Sequence, residues 1–146
     1  IQPGTGAFSY LFGLSTSYAY KKLNAVANGT FSLATEGEVG DDSYEYGNAI
    51  NYDAALRYRL SGSLQSSANL FAALGIAGEW RQKEQLNSLE LDGTGGNTLY
   101  LTPGFQVFFR SVVFEFSFWQ AISRDLNGEQ LGESFKTFAG LTFLLK

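Results

Sequence analysis

Apolar and polar residues alternate along most of the chain. From Thr5 to Tyr20, one phase holds Phe8, Tyr10, Phe12, Leu14, Thr16, Tyr18 and Tyr20, while the other holds Ala7, Ser9, Leu11, Gly13, Ser15, Ser17 and Ala19. A period of two sends successive side chains to opposite faces of a β-strand. The same pattern predicts strands at about 5–20, 23–36, 44–60, 68–84, 98–110, 112–125 and 134–146. Each has one bulky apolar phase and one small or polar phase. In the third, Tyr52, Ala54, Leu56, Tyr58 and Leu60 oppose Asn51, Asp53, Arg57 and Arg59. In the sixth, Val112, Phe114, Phe116, Phe118 and Ile122 oppose Glu115, Ser117, Ser123 and Asp125.

The connections alternate as well. Short turns at "KKLN", "SGSLQSS" and "RS" take turns with the longer, polar "TEGEVGDDS", "QLNSLELDGTGG" and "LNGEQLGE". Short turns at one rim and long loops at the other are the pattern of an outer-membrane up-and-down barrel. The predicted fold is therefore all-β: an antiparallel transmembrane β-barrel occupying 1–146 as a single domain or as the C-terminal segment of one. Seven strands do not match the even number of bacterial single-chain barrels, so at least one more strand is expected before Ile1. The opening "IQPGTG", without Met or leader, reads as the interior of a longer chain or a mature terminus.

A soluble lipocalin-like barrel also alternates, and three features separate the two. The first strand alone carries five aromatics on its bulky phase, which would overfill a small tapering barrel interior. The opposite phase is rich in Ala, Ser, Gly, Thr and Asn, which suits a lumen better than a soluble exterior. The bulky aromatics gather toward strand ends: Phe8, Tyr10, Tyr46 and Trp80 at the long-loop side, and Tyr18, Tyr20, Tyr58 and Phe109 at the short-turn side. Leu14, Ala27, Ala54, Leu74 and Val107 lie between them, giving two interface girdles around an aliphatic band. A charge on a lipid face costs about 2–4 kcal/mol at mid-depth, and the bulky phase carries none.

Composition narrows the chemistry. The chain has 146 residues, 16 % charged and 16 % aromatic, with a net charge of -4. The acidic balance and the absence of a basic run exclude a nucleic-acid footprint. Without Cys or His, no disulfide, thiolate or imidazole metal site, or His-dependent triad can form within the segment. No window is long and apolar enough for a transmembrane helix or signal peptide.

The runs "TLYLTPGFQVFF" (98–109) and "VVFEFSFWQAISRDLNGEQLGESFKTFAGLTFLL" (112–145) carry a likeness. With their "LYLxPG" strand, "DLNG" end and final "xxxxGLxF" strand, they resemble the closing strands of a bacterial outer-membrane family catalogued as meta-pathway phenol-degradation proteins. The opening "IQPGTGAFSYLFGLSTSY" resembles a mid-chain segment of the same family. The resemblance implies passage of small hydrophobic or aromatic compounds. One departure is the end "FLLK": such barrels commonly close on an aromatic residue read by the assembly machinery.

Asp53, Arg57, Arg59, Glu79, Arg81, Arg110 and Glu115 are the lumen and selectivity candidates, with Lys83 and Lys136 placed to join them. Fixed charges lining a pore select solutes; the alternative is a network of ion pairs filling a closed lumen. Glu36, Glu38, Asp41, Asp42 and Glu45 match no calcium-loop spacing and read as a solvated loop. "DGTGG" (92–96) follows no βαβ pattern and reads as a flexible loop tip. Trp119 falls on the lumen phase; stacking on an aromatic solute is one reading, and plugging the lumen or marking a bulge is the favoured one. Glu79 and Glu115 lack an accompanying nucleophile and base, so no enzyme activity, metal or cofactor is expected.

The leading expectation is a porin- or channel-like barrel of the Gram-negative outer membrane, embedded in lipid and passing small solutes. The alternative is a closed barrel acting as anchor or scaffold, meeting a second copy or an envelope protein through loops 35–44 and 84–97. A soluble lipocalin-like binder is the third reading.

Overall fold

The alternating stretches pair into one long antiparallel sheet in a computed structural model that describes residues 6–63 and 66–145. The fold is all-β, with 72 % of the described residues in strands and no helix among them. Strands β1 (Ser9–Tyr20), β2 (Leu23–Ala34), β5 (Ala49–Ser61), β6 (Ala68–Arg81), β10 (Gly104–Phe109), β11 (Val112–Leu126) and β12 (Phe135–Phe143) follow one another across the sheet. Strand β9 (Gly96–Leu101) lies end to end with β10 between β6 and β11. The two are one strand interrupted at Thr102–Pro103. Pro103 has no N–H for the ladder, yet its carbonyl still accepts the Phe118 N–H at 2.9 Å. Among the described residues β1 pairs only with β2, and β12 only with β11.

The seven expected stretches thus correspond to seven ladder positions. The expected beginning of the first stretch at Thr5 and end of the last at Lys146 lie outside the described residues, as do Leu64 and Gln65 of the third turn. Two expectations are corrected. The 44–60 stretch is divided: residues 44 and 45 belong to a separate hairpin, and the sheet strand starts at Ala49. The long loops are also not irregular. Strands β3 (Glu36–Val39), β4 (Asp42–Glu45), β7 (Gln85–Leu86) and β8 (Leu89–Glu90) form a second four-stranded antiparallel sheet at that end. Their short, acidic sequences hid a strand pattern that exists only through pairing between two loops, as in Tyr44↔Leu86 and Glu45↔Gln85.

Register keeps the faces separate. One row across the sheet reads Tyr18↔Ala25↔Leu56↔Leu74, wholly apolar on the outward face. Three residues along, another row reads Ser15↔Asn28↔Asp53↔Ala77, on the other face. Outward side chains stay exposed: Leu14 77 %, Leu56 58 %, Leu74 57 % and Leu141 63 %. Large contiguous apolar patches on a surface mark contact with an apolar environment or a partner. Aromatics form ladders within it, with Phe105 5.8 Å from Phe114 and 5.7 Å from Phe116, and Phe118 stacked 5.7 Å from Phe135. Tyr52 lies across Gly78, where a Cβ would stand 2.1 Å from the ring. The glycine is therefore the gap that lets the ring lie flat on the sheet.

Two bulges reset the faces. One falls between Arg59 and Ser61 against β6, the other between Ala121 and Ser123 against β9. Beyond the second, Ser123 pairs with outward Leu99 and Asp125 with Asn97, while Arg124 pairs with inward Thr98. Ser123 and Asp125 are therefore not on the face that simple parity assigned to them. A single inserted residue inverts every position after it.

Candidate functional site

The polar phase lies on a concave surface. Lys136 on β12 and Glu79 on β6 are three ladder steps apart, roughly 14 Å on a flat sheet at about 4.8 Å per step. Their side chains nevertheless meet at 2.7 Å. Trp119 on β11 lines one cavity with Asn28 and Thr30 of β2. A second cavity, of about 370 Å³, is lined by Asp53 and Arg57 on one side and by Glu115, Trp119 and Phe138 on the other. Only a strongly curled sheet brings these strands' inner faces together, and right-handed twist, increased by the bulges, supplies that curl.

Toward the long-loop end the concavity is filled. Trp119 lies 5.7 Å from Tyr100 and 4.9 Å from Phe138, and the Lys136 ammonium sits 4.7 Å over the Tyr100 ring. Lys136 also reaches Glu133 at 3.1 Å. Tyr100 is 2 % exposed and Ala77 1 %, the deepest apolar side chains among the described residues. Trp119 donates from Nε1 to Ser117 Oγ at 3.1 Å. Under β1, β2 and β5 the packing is lighter and polar: Ser15 Oγ donates to Asn28 Oδ1 at 2.6 Å, and Asn28 Nδ2 donates to Asp53 Oδ2 at 2.8 Å.

The expected site residues therefore separate into groups. Glu79 is ion-paired. Asp53 is held by an amide rather than an arginine, and Glu115 accepts from Gln106 Nε2 at 3.3 Å. The two carboxylates Glu79 and Glu115 are engaged by different partners. Arg57 and Arg59 form no ion pair among the described residues, and the Arg59 Nε is buried without a hydrogen-bond partner. Arg81 stands at the long-loop end of β6, between Ala49 and Gly96. Arg110 is in the two-residue turn (φ 54°), its guanidinium 5.4 Å from the outward Phe109 ring, so it stands at the rim.

Tyr100, Phe138, Phe71 and Phe108 also face inward and were not among the expected site residues. Their signal was parity: each stands two residues from a polar-phase position, as Tyr100 does from Thr98 and Phe108 from Gln106. The acidic loop residues bind one another's neighbours instead of clustering. Ser43 donates to Glu36, and Asn87 Nδ2 donates to Asp42 Oδ1 at 2.8 Å. No group of three or more potential metal ligands occurs among the described residues. In the second sheet Tyr44 donates its hydroxyl to Glu84, and that bond, with some burial, pushes the phenol up to about 12. Lys83 is held above the usual lysine value by hydrogen bonds to Asp92 first and then Glu90.

No protein-family model, curated protein or solved structure matches this chain. No helix among the described residues is long and apolar enough to cross a membrane, which says nothing of crossing by strands.

Proposed function

We propose that this chain forms the wall of a β-barrel in the bacterial outer membrane, with the concave face as a lumen that passes small solutes by diffusion. One observation carries the reading: through the ladder positions from β1 to the Ala121–Ser123 bulge the outward face carries no charge and, besides its tyrosines, only Thr16, Ser61, Gln120 and Thr137 as polar residues, while the inward face holds the charged residues. Water offers no reason to keep charge off so broad a face, whereas hydrocarbon does. The family resemblance of 98–145 points the same way.

The test is a matched pair of substitutions in adjacent residues. Leu14→Arg, outward, is expected to destabilise the protein in lipid vesicles by about 2–4 kcal/mol, and Ser15→Arg, inward in the row of Asn28 and Asp53, by markedly less. Equal losses in chemical denaturation would count against a lipid-facing surface. Planar-bilayer recording then asks whether the lumen is open, with discrete conductance steps expected.

A second reading has its own support. Tyr100, Trp119, Phe138 and the Lys136–Glu79 pair fill one part of the concavity, as a closed barrel serving as anchor or scaffold requires. The small sheet of β3, β4, β7 and β8 would then be its contact surface. Insertion into bilayers without conductance is the result that favours it.

A further inference from the structure

We propose that the short-turn end of the concave face is a binding site for a small organic anion: a carboxylate head carried on a flat apolar body. The inference rests on the reading of that face as a lumen and names the solute class it recognises. A cavity of about 260 Å³ opens there, lined by Lys22, Arg57, Arg59, Phe71, Gln106 and Phe108, with Lys21 at its rim. Neither lysine nor either arginine has an ion-pair partner among the described residues. The Lys21 ammonium leans outward over the Tyr20 ring at 5.1 Å, which leaves Lys22 and the two arginines to face the cavity.

Arg57 and Arg59 are two apart on β5 and so stand side by side on one face. Like charges this close repel, and a buried guanidinium nitrogen without a partner is costly; Arg59 Nε is such an atom. An arriving carboxylate relieves the repulsion through the planar fork of N–H donors that the guanidinium groups present. The acids nearest in the structure do not fill this role. Asp53 is occupied by Asn28, and Glu115 by Gln106; both line the neighbouring cavity that Arg57 also borders. Phe71 and Phe108 meet edge to face at 5.6 Å and supply the apolar wall, which a bare inorganic anion would leave unused.

The probes are 4-fluorobenzoate and its neutral counterpart 4-fluorobenzamide, titrated by fluorine NMR into the full protein in a non-ionic detergent. Saturable binding of the benzoate, with the benzamide at least about tenfold weaker, is expected from a charge-assisted bidentate contact. Arg57→Gln with Arg59→Gln should remove that preference, while Arg124→Gln at the far end, where that side chain donates to the Gly132 carbonyl, leaves it intact. Equal binding of the two probes by the unaltered protein overturns the proposal and needs no variant to fold. Displacement of the benzoate by phosphatidylglycerol but not by free acetate would assign the cations to a lipid headgroup, which also overturns it. Because binding is read in detergent, benzoate recognition in a protein that does not conduct would leave the site standing and the pore fallen. Conductance without recognition would do the reverse.

Discussion

The two ends of the long sheet handle charge in opposite ways. At the long-loop end, several charges are tied to partners: Lys136 to Glu79 and Glu133, Lys83 to Asp92 and Glu90, and Tyr44 to Glu84. Aromatic rings pack around the first of these pairs. At the short-turn end, Lys22, Arg57 and Arg59 share a cavity with no carboxylate in its lining. The same strands run through both ends, so the backbone is common and the difference lies in the side chains. One end is built to be stable, and the other keeps unspent binding capacity at some cost in stability.

Three changes probe that contrast. The largest effect is expected from Trp119→Ala, which removes the ring that touches both Tyr100 and Phe138. Full truncation of a core Trp costs about 3–5 kcal/mol; this ring is half-buried, so about 2–3 kcal/mol is expected from denaturation in detergent, together with a larger conductance if the lumen is open. The next comparison sets Lys136→Met against Arg59→Met. The first strips Glu79 of its partner and is expected to cost about 1–2 kcal/mol, reduced by the exposure of that carboxylate. The second removes an unpaired cation and is expected to be neutral or to stabilise by up to about 1 kcal/mol. Equal losses from the two would erase the distinction between the ends.

The smallest effect concerns pH. The Tyr44 phenol rises from 10.0 to about 12 through its bond to Glu84. A raised folded-state value means that this bond's contribution is fully present below pH 10.0 and is lost as pH climbs through about 12. Ultraviolet titration should therefore show a tyrosine ionising late, and Tyr44→Phe should abolish that late phase while leaving the protein folded at neutral pH. A late phase that survives the substitution would place it on another tyrosine.

Much of the architecture was legible in the alternation. The strand of Ser9 to Tyr20, the Lys21–Lys22 and Arg110–Ser111 turns, and the opposed phases of Leu56 and Arg57 are local facts, set by a two-residue period and by link length. Parity even reached Phe71, Phe108 and Tyr100, had bulk not drawn attention to the other phase. It failed at Ser123 and Asp125, because a bulge is an extra residue opposite a partner strand and has no signature in one strand alone. It also missed β3, β4, β7 and β8, whose pairing joins loops more than forty residues apart, such as Ser43 and Asn87.

Between bulges, the sequence by itself determined which side chains share a face, because alternation along an extended backbone needs no partner. Only the tertiary structure decided which of those side chains meet. Contact between Lys136 and Glu79, or between Trp119 and the far strands, depends on how tightly twist and bulges curl the sheet. The same curvature left Arg57 and Arg59 facing a cavity instead of a carboxylate.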